Sequence, residues 1–455
     1  MKKILIYIMV CIGVLSCHTS NITKEPVNNN DDNLFTDTKN INNESDDYYK
    51  PQRLKFTDEI YSDNIKSVQL FSADWVFGPP IIWTEKQNKL TLYFDELNSN
   101  KKDYYFSFIY CDAMWNPLDV PTMDYLEGFN EDPITSYQSS MNTLVSYIHY
   151  AVDFPSENMK PKKSGNYLLH VYYYNGDEKK TIITKRFFVA ENNVEIKSNV
   201  KMATNIELRN YQHEIDFTIN ANKIEITDPY RTLTIVLQQN GRTDNQITNL
   251  KPKLVKGNEL IYDFENGNIF DANNEFRHFD IKSLTYNTDR IQKIAKTDGM
   301  FHIYLKTDYR RPFDRYISDD DINGRFLIKN DDGKNSETES EYVWVHFLLK
   351  YDAPLTEGSV YLQGAITQWG YNPLYKLKYD YNKQGYADSL LLKQGYYNYQ
   401  YVYLKDGESS ADAAYIEGRH SEADNDYTIY VYYREPGELF DRLIGVQISN
   451  SKKGM

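Results

Sequence analysis

Short runs of aromatic and β-branched residues recur along this chain, and each run is closed by Gly, Asn, Asp or Pro. Residues 89–94 and 167–174 are examples. Such runs favour β-strands, and the Asn175-Gly176 pair favours a hairpin turn with residues 181–189 as the returning strand. Tyrosine, which occurs 41 times, suits strand surfaces because its ring is apolar and its hydroxyl is polar. The sequence therefore predicts an all-β fold.

The strand pattern predicts three tandem immunoglobulin-like β-sandwiches. A chain of 455 residues is long for a single hydrophobic core. The polar stretch 330–341 contains no large apolar residue, which is typical of a linker. The predicted sandwich domains are 53–192, 193–335 and 336–455.

The first residues of the chain predict export. Two lysines precede an apolar run at residues 4–15, and Cys17 stands where lipoprotein signals carry the lipid-accepting cysteine. We predict a signal peptide at 1–16, lipid attachment at Cys17 and a disordered polar tether at 17–52. A plain secretory signal with an incidental Cys17 is the alternative. No later apolar run is long enough to span a bilayer.

Composition excludes several classes of function. The formal net charge of −14 argues against nucleic acid and anionic head groups as partners. Cys111 is the one cysteine after Cys17, so the predicted stability comes from packed sheets and not from disulfides. The sequence carries no phosphate-binding loop, dinucleotide fingerprint, nucleophile elbow or HExxH zinc pattern. We predict no enzyme activity and no cofactor; a glycosidase, which needs two facing carboxylates, is a remaining alternative.

One acidic loop partly matches a calcium-binding motif. Asp319, Asp321, Asn323 and Gly324 agree with the opening of an EF-hand-like loop, but Asn330 stands where the bidentate glutamate is needed. A turn between two strands is the simpler interpretation, and no metal is predicted.

Two charged strings supply candidate partner contacts. The candidates are Glu275, Arg277, Phe279, Glu417, Arg419 and His420. Strand alternation places the first three on one face, which separates them from His278 and Asp280 and argues against a catalytic cluster. The last three stand in a glycine-containing loop, and loops on rigid sandwiches often carry binding residues. Surface ion pairing and loop-bracing hydrogen bonds are the alternatives.

Several strings that follow one another along the chain resemble one family. They are YCDAMWNP at 110–117, DYLEGF at 124–129, SGNYLL at 164–169, FDANNEFRHFD at 270–280, EGRHS at 417–421 and NDYTIYVYYR at 425–434. In this order they resemble the plug protein of the bacterial type IX secretion system, a family long described as a domain of unknown function. The resemblance covers about residues 55–448.

The resemblance implies a non-enzymatic role in secretion. Proteins of this family are periplasmic, bind the very large outer-membrane β-barrel translocon, and close the periplasmic opening of its pore when no substrate is in transit. The resemblance therefore implies the translocon as the partner and a monomer within a larger complex. With lipid at Cys17, we expect the chain to be anchored at the periplasmic side of the outer membrane.

The last predicted sandwich is also similar to immunoglobulin-like glycogen- or starch-binding modules. Residues 360–369 and 395–401 carry this likeness. Such modules stack sugar rings on exposed aromatic side chains, which makes Trp369 and Tyr371 candidate stacking residues. A glycan-binding cell-envelope lipoprotein is therefore the alternative function, although a shared architecture does not determine function.

Overall fold

Strands dominate the computed structural model, which describes residues 54–86, 88–97 and 100–453. In that part of the chain the α-helices are single turns at Thr122–Tyr125, Pro229–Thr232 and Ala414–Glu417. Single 3-10 turns lie at Ala365–Thr367, Pro373–Tyr375 and Ser451–Lys453. No helix among the described residues has the length and hydropathy needed to cross a bilayer. The predicted all-β fold of tandem β-sandwiches is confirmed, and the predicted signal peptide, tether and Cys17 lie outside the described residues.

The first sandwich is built from the first twelve strands of the described chain. Its strands are β1 (Glu59–Ile60), β2 (Ile65–Ser72), β3 (Ile81–Trp83), β4 (Leu90–Glu96), β5 (Tyr105–Cys111), β6 (Leu126–Gly128), β7 (Asp132–Pro133), β8 (Ser136–Ser139), β9 (Ile148–Phe154), β10 (Met159–Pro161), β11 (Gly165–Asn175) and β12 (Glu178–Ala190). One sheet has the order β1-β12-β11-β5-β7 with β3 beside β12, and the second has the order β2-β4-β9-β8; β6 and β10 pair separately. The predicted hairpin of β11 and β12 is present, but its two turn residues are Gly176, whose φ is 63°, and Asp177, because Asn175 still pairs with Glu178.

Alternation along the strands builds the core of this sandwich. In β5, Phe106 and Phe108 are buried, whereas Tyr105 and Ser107 are half-buried. Phe106 and Phe108 meet Leu92 of the second sheet in one aromatic-rich core. Because successive side chains of a strand point to opposite faces, the period of two seen in the sequence becomes an inner and an outer face.

Two further sandwiches use the rest of the described chain. Their strands are β13 (Glu195–Met202), β14 (Gln212–Asn220), β15 (Leu233–Gln239), β16 (Leu254–Lys256), β17 (Glu259–Tyr262), β18 (Ile269–Asp271), β19 (Arg277–Asp280), β20 (Ile291–Thr297), β21 (Met300–Leu305), β22 (Phe326–Ile328), β23 (Tyr342–Lys350), β24 (Gly358–Gln363), β25 (Lys378–Asp380), β26 (Gly385–Lys393), β27 (Gly395–Lys405), β28 (Asp426–Tyr433) and β29 (Arg442–Asn450). The middle sandwich combines β13-β14-β17-β16, with β18 beside β14, and β15-β28-β29. The third combines β19-β27-β22, with β24 beside β27, and β20-β21-β23-β26-β25.

Strand pairing crosses the boundary predicted between residues 335 and 336. The strands β19 and β22 lie before this boundary and pair with β27 after it, and β15 pairs with β28 near the end of the chain. The third sandwich is thus formed by a segment inserted between β18 and β28, and the stretches 193–335 and 336–455 are not separate sandwiches. The physical reason is that β15 alone cannot cover the apolar face of the β13-β14-β17-β16 sheet, so β28 and β29 complete the second layer.

The stretch 330–341, predicted as a linker, is a folded loop of the third sandwich. The side-chain oxygen of Asn330 accepts hydrogen bonds from the backbone N–H groups of Asp332 at 2.9 Å and Gly333 at 3.0 Å. Ser340 is fully buried and donates its hydroxyl to a backbone carbonyl of the same stretch. Small polar side chains stabilise compact loops by bonding to nearby backbone, and composition does not distinguish such a loop from a linker.

A buried charge cluster joins the first sandwich to the third. This junction cluster consists of Asp95, His149, Tyr342 and Lys393, all buried. Asp95 accepts hydrogen bonds from Lys393 Nζ at 2.6 Å and from the Tyr342 hydroxyl at 2.7 Å, and it lies 2.7 Å from His149 Nδ1. Asp95 and His149 belong to the first sandwich, and the other two residues belong to the third. Buried polar groups that bond to one another across a junction hold two modules in one orientation.

The first and middle sandwiches meet through an aromatic contact. Phe188 of β12 stacks on Tyr430 of β28 with ring centroids 4.6 Å apart. The Tyr432 hydroxyl donates to Asn166 at 2.8 Å, and the backbone N–H of Ala113 donates to Asp441 at 2.9 Å. The outer face of β28 therefore serves as the surface on which the first sandwich packs.

Candidate docking loop

An exposed aromatic loop projects from the third sandwich. Residues 309–317, here called the docking loop, lie between β21 and β22. Phe313 is 95% exposed, Ile317 is 77% exposed and Tyr309 is 63% exposed. Large apolar side chains this accessible, on a loop that also carries arginines, have the composition of protein contact surfaces.

A buried carboxylate and two partly covered arginines hold the base of the docking loop. Arg311 Nε donates to Glu417 at 2.7 Å, and Arg277 Nε donates to the same carboxylate at 3.0 Å. A second nitrogen of Arg277 donates to the carbonyl of Tyr309 at 2.7 Å. Burial alone would raise the pKa of Glu417, but the charges of Arg277 and Arg311 outweigh it and lower that pKa to about 2. The loop is therefore fixed to the sheet by a carboxylate that stays ionised.

Asp308 fixes the residue that precedes the loop. It is buried and accepts hydrogen bonds from Arg277 at 2.8 Å and from the hydroxyls of Tyr399 at 2.7 Å and Tyr401 at 2.9 Å. These two tyrosines belong to the inner face of β27, so their apolar rings fill the core while their polar tips bind Asp308. The alternating tyrosines of this strand thus connect the core to the loop base.

The other end of the loop is held by a second pair of carboxylates. The Tyr316 hydroxyl donates to Glu275 at 2.5 Å. Asp321 accepts hydrogen bonds from the backbone N–H groups of Asn323 at 2.7 Å and Phe276 at 2.5 Å. Burial raises the pKa of Glu275, and burial raises the pKa of Asp321 to about 7.

Arg310 is packed inward and leaves Phe313 as the tip. Its guanidinium lies over the rings of Tyr415 at 4.8 Å and Tyr351 at 5.1 Å, and it donates to the Tyr415 carbonyl at 2.9 Å. Phe313 has no ring partner among the described residues. Arg310 and Arg311 are bound at the base of the loop while Phe313 is exposed, so the loop presents a preformed contact.

The structure places most of the predicted contact residues in the interior. Glu275, Phe279 and Glu417 are buried, and the ring of Phe279 stacks on Tyr397 in the third core at 5.1 Å. Side chains without exposed surface cannot touch a partner, so these three, with the largely covered Arg277, correct the sequence-based prediction. Glu275, Arg277 and Glu417 form the base of the docking loop instead, and Phe279 belongs to the third core.

Two of the predicted contact residues do reach the surface. Arg419 is exposed and pairs with Asp271 at 3.2 Å. His420 is half-buried, and its ring lies 5.7 Å from that of Tyr316. Both therefore lie beside the docking loop and remain candidate contacts.

Sequence reasoning missed the tip of the loop. The sequence predicts no role for Tyr309, Phe313 and Ile317, because they fit neither a strand nor a helix pattern. The available signal was a run of arginines and aromatic residues without strand alternation, at 309–316. Arginine and aromatic residues are enriched among those that dominate binding energy.

The candidate sugar-stacking residues are used inside the molecule. Trp369 is half-buried and packs edge-on against Phe276 with ring centroids 6.0 Å apart. The Tyr371 hydroxyl donates to Asp244 and accepts from the Ala411 backbone N–H at 3.1 Å. Tyr371 is thereby tied to a buried polar group, and no observation favours a sugar platform formed by these two rings.

The acidic loop that partly matches a calcium-binding motif has other partners. Asp321 binds two backbone amides, and Asp319 lies 3.3 Å from His278. Within the described residues, the group of acids close enough to share a cation is Glu214, Asp216 and Asp263. Lys201 Nζ lies 2.6 Å from Asp216 and 3.1 Å from Glu214, so an ammonium group already pairs with two of these three carboxylates.

Comparisons with known proteins agree with the fold. Residues 65–191 match the model of the type 9 secretion system plug protein first domain. The crystal structure of a hypothetical protein from Parabacteroides merdae is 33% identical, with a TM-score of 0.85, over 88% of this chain and 100% of that chain. The C-terminal domain of the Streptococcus pyogenes antigen I/II-family protein AspA is 8% identical, with a TM-score of 0.15, over 85% of this chain and 99% of that chain. A TM-score this low does not indicate a shared fold. No curated protein matches the sequence.

Proposed function

We propose, from the premise that this chain belongs to the type IX secretion system plug protein family, that it is a non-enzymatic plug subunit. In this proposal it binds the outer-membrane β-barrel translocon and closes the periplasmic opening of its pore. Family membership gives the chain a type IX secretion-related role at the cell envelope, in a family of secretion components that is not a known enzyme family. The single observation that carries the proposal is the family match over residues 65–191.

The physical properties of the fold support obstruction of a channel. A barrel wide enough to pass folded proteins contains an aqueous opening that a separate body must fill. A plug has to resist deformation, and the junction cluster and the contact between Phe188 and Tyr430 join three sandwiches through buried groups. Such contacts keep the modules in fixed relative positions when the plug binds or leaves.

The docking loop is the surface that we assign to the translocon contact. Phe313 supplies an exposed aromatic anchor, with Ile317, Arg419 and His420 around it. Because Glu417 and its arginines fix the base of the loop, little conformational entropy is lost on binding. A few exposed anchors on a rigid loop suit a contact that has to release when a secreted protein arrives.

Attachment to the membrane completes the proposal. Lipid at Cys17 and the polar segment 17–52 would hold the plug near the periplasmic side of the outer membrane and raise its effective concentration at the pore. The chain would then act as a monomer within the larger complex.

Co-purification from detergent-solubilised envelopes tests the proposal. A C-terminal tag should recover the giant barrel, and Cys17→Ser should lower the membrane-bound fraction while preserving barrel binding in solution. Deletion of the gene should make the outer membrane more permeable to large polar antibiotics. Failure to recover a barrel, with permeability unchanged on deletion, would refute the assignment.

A further inference from the structure

A groove lies where the three sandwiches meet. It has a volume of about 200 Å³ and is walled by Trp115 and Arg186 of the first sandwich, Tyr430 and Gln238 of the middle sandwich, and Trp369 of the third. This volume accommodates one or two side chains of an extended peptide and excludes a folded element. The walls combine aromatic surfaces with a few polar groups, as ligand sites do.

Arg186 in this groove has no carboxylate partner. Its Nε donates to the carbonyl of Phe56 at 2.8 Å, and its guanidinium lies over the Trp115 ring at 4.4 Å. No carboxylate of the described residues forms an ion pair with this guanidinium. The nearby Asp58 is already engaged, because it binds Lys185 and accepts the backbone N–H of Arg186.

Two other largely covered arginines, Arg242 and Arg277, differ in this respect. Arg242 is paired with Asp244 at 2.8 Å, and Arg277 is paired with Asp308 at 2.8 Å and with Glu417 at 2.9 Å. Buried charges in proteins are normally paired, because an unpaired one is costly. The Arg186 guanidinium is largely covered, and the one carboxylate among the residues that line the groove, Asp58, already binds Lys185. The guanidinium is therefore suited to an anion from outside the chain.

An apolar loop borders the same groove. Residues 76–80 line it, and Val76 is exposed together with the adjacent Trp75. Apolar surface beside an unpaired cation matches a ligand that carries an apolar group next to a negative charge. Two ordinary features of an extended peptide supply this, namely a large apolar side chain and a neighbouring carboxylate.

We propose that this groove binds an extended peptide of a partner protein, with a carboxylate paired to Arg186 and an adjacent apolar side chain against Trp115 and Trp369. The carboxylate belongs either to an acidic side chain or to a peptide C-terminus, since both present the same two oxygens to a guanidinium. This site is separate from the docking loop and requires no translocon contact.

Peptide titrations test the proposal on the purified chain. The probes are acetyl-Val-Phe-Asp-Val-amide, the same peptide with Asn in place of Asp, and acetyl-Val-Val-Phe with a free C-terminus, each followed by tryptophan fluorescence. We expect one of the carboxylate peptides to bind about tenfold more tightly than the Asn peptide, the factor expected for a hydrogen-bonded charge. Whichever carboxylate peptide binds identifies the source of the anion.

Matched variants decide the role of Arg186. Arg186→Gln should remove the difference between the carboxylate and Asn peptides, and Arg442→Gln, at an ion pair outside the groove, should preserve it. Thr428→Phe should fill the groove and weaken all three peptides, which keeps the test valid if Arg186→Gln does not fold. Equal binding of the Asp, Asn and free-carboxylate peptides, no binding at all, or a difference that persists in folded Arg186→Gln would overturn the proposal. Barrel co-purification is an independent readout, so failure here leaves the proposed function intact.

Discussion

The base of the docking loop and the junction cluster both contain buried charges, but the first fixes a loop and the second fixes two sandwiches against each other. In the base, one carboxylate, Glu417, neutralises Arg277 and Arg311 beneath an exposed loop. In the junction cluster, Asp95 of the first sandwich is shared by Lys393 of the third and His149 of the first. The comparison shows buried ion pairs used for two purposes: to orient a contact surface and to keep two sandwiches in one arrangement.

Removing the carboxylate of the loop base should have the largest effect on stability. Glu417→Gln removes the buried anion that the largely covered Arg277 and the half-buried Arg311 share, which is expected to lower the free energy of unfolding by about 3–5 kcal/mol. Urea unfolding followed by circular dichroism measures the change. The matched control is Arg419→Gln, which breaks the exposed pair with Asp271 and should cost less than about 1 kcal/mol. Equal losses in the two variants would contradict the role assigned to the base.

Removing the cation of the junction cluster should have a smaller effect. Lys393→Met leaves Asp95 bound to Tyr342 and His149, so we expect a loss of about 2–3 kcal/mol. Hydrogen exchange should quicken at residues 337–342 and remain unchanged in the docking loop. Lys383→Met, at an exposed pair with Asp380, is the control. Faster exchange in the docking loop would mean that the two clusters are coupled.

The two carboxylates around the loop should respond to pH in opposite ways. Asp321 has its folded-state pKa raised to about 7, whereas an unfolded aspartate titrates near pH ~3.9. Between these pH values Asp321 is protonated in the folded chain and ionised in the unfolded chain. The contribution of Asp321 to the free energy of unfolding therefore falls as pH rises from about 4 to about 7. Glu417, with its pKa lowered to about 2, contributes stability above about pH 4.3 that is lost as pH falls.

Replacing Asp321 isolates its part of this behaviour. Asp321→Asn should flatten the fall in unfolding free energy between about pH 4 and pH 7. Unfolding titrations at several pH values, on this variant and the unchanged chain, measure the two slopes. Parallel slopes would show that Asp321 does not titrate in that window.

The smallest effect on stability is expected at the loop tip. Phe313→Ala removes a side chain that is 95% exposed, so the free energy of unfolding should change by less than about 0.5 kcal/mol. Co-purification of the barrel should fall about tenfold if Phe313 is an anchor. Tyr381→Ala is the control, because Tyr381 is 76% exposed at a different turn of the third sandwich. Equal recovery of the barrel with both variants would remove the loop from the proposed contact.

Local patterns explain how much of the fold could be predicted. The inner and outer faces of β5 and the hairpin that follows Asn175 depend on neighbours within a few residues. The strand partners of β15 could not be predicted in this way, because β28 lies far along the chain and the intervening segment folds as a separate sandwich. The stretch 330–341 was wrongly predicted to be a linker for a related reason, since composition does not reveal its hydrogen bonds to its own backbone.

The candidate site was likewise predictable where it depends on local pattern and not where it depends on distant contacts. Alternation by itself determined that Arg277 and Phe279 share a face of one strand, and the recurrent aromatic and β-branched runs determined an all-β chain. Only the tertiary structure decided that this face points inward, because Glu417, which neutralises Arg277, is brought there by strand pairing across 140 residues. Periodicity is set by the backbone of each strand, whereas burial depends on which distant surface covers it.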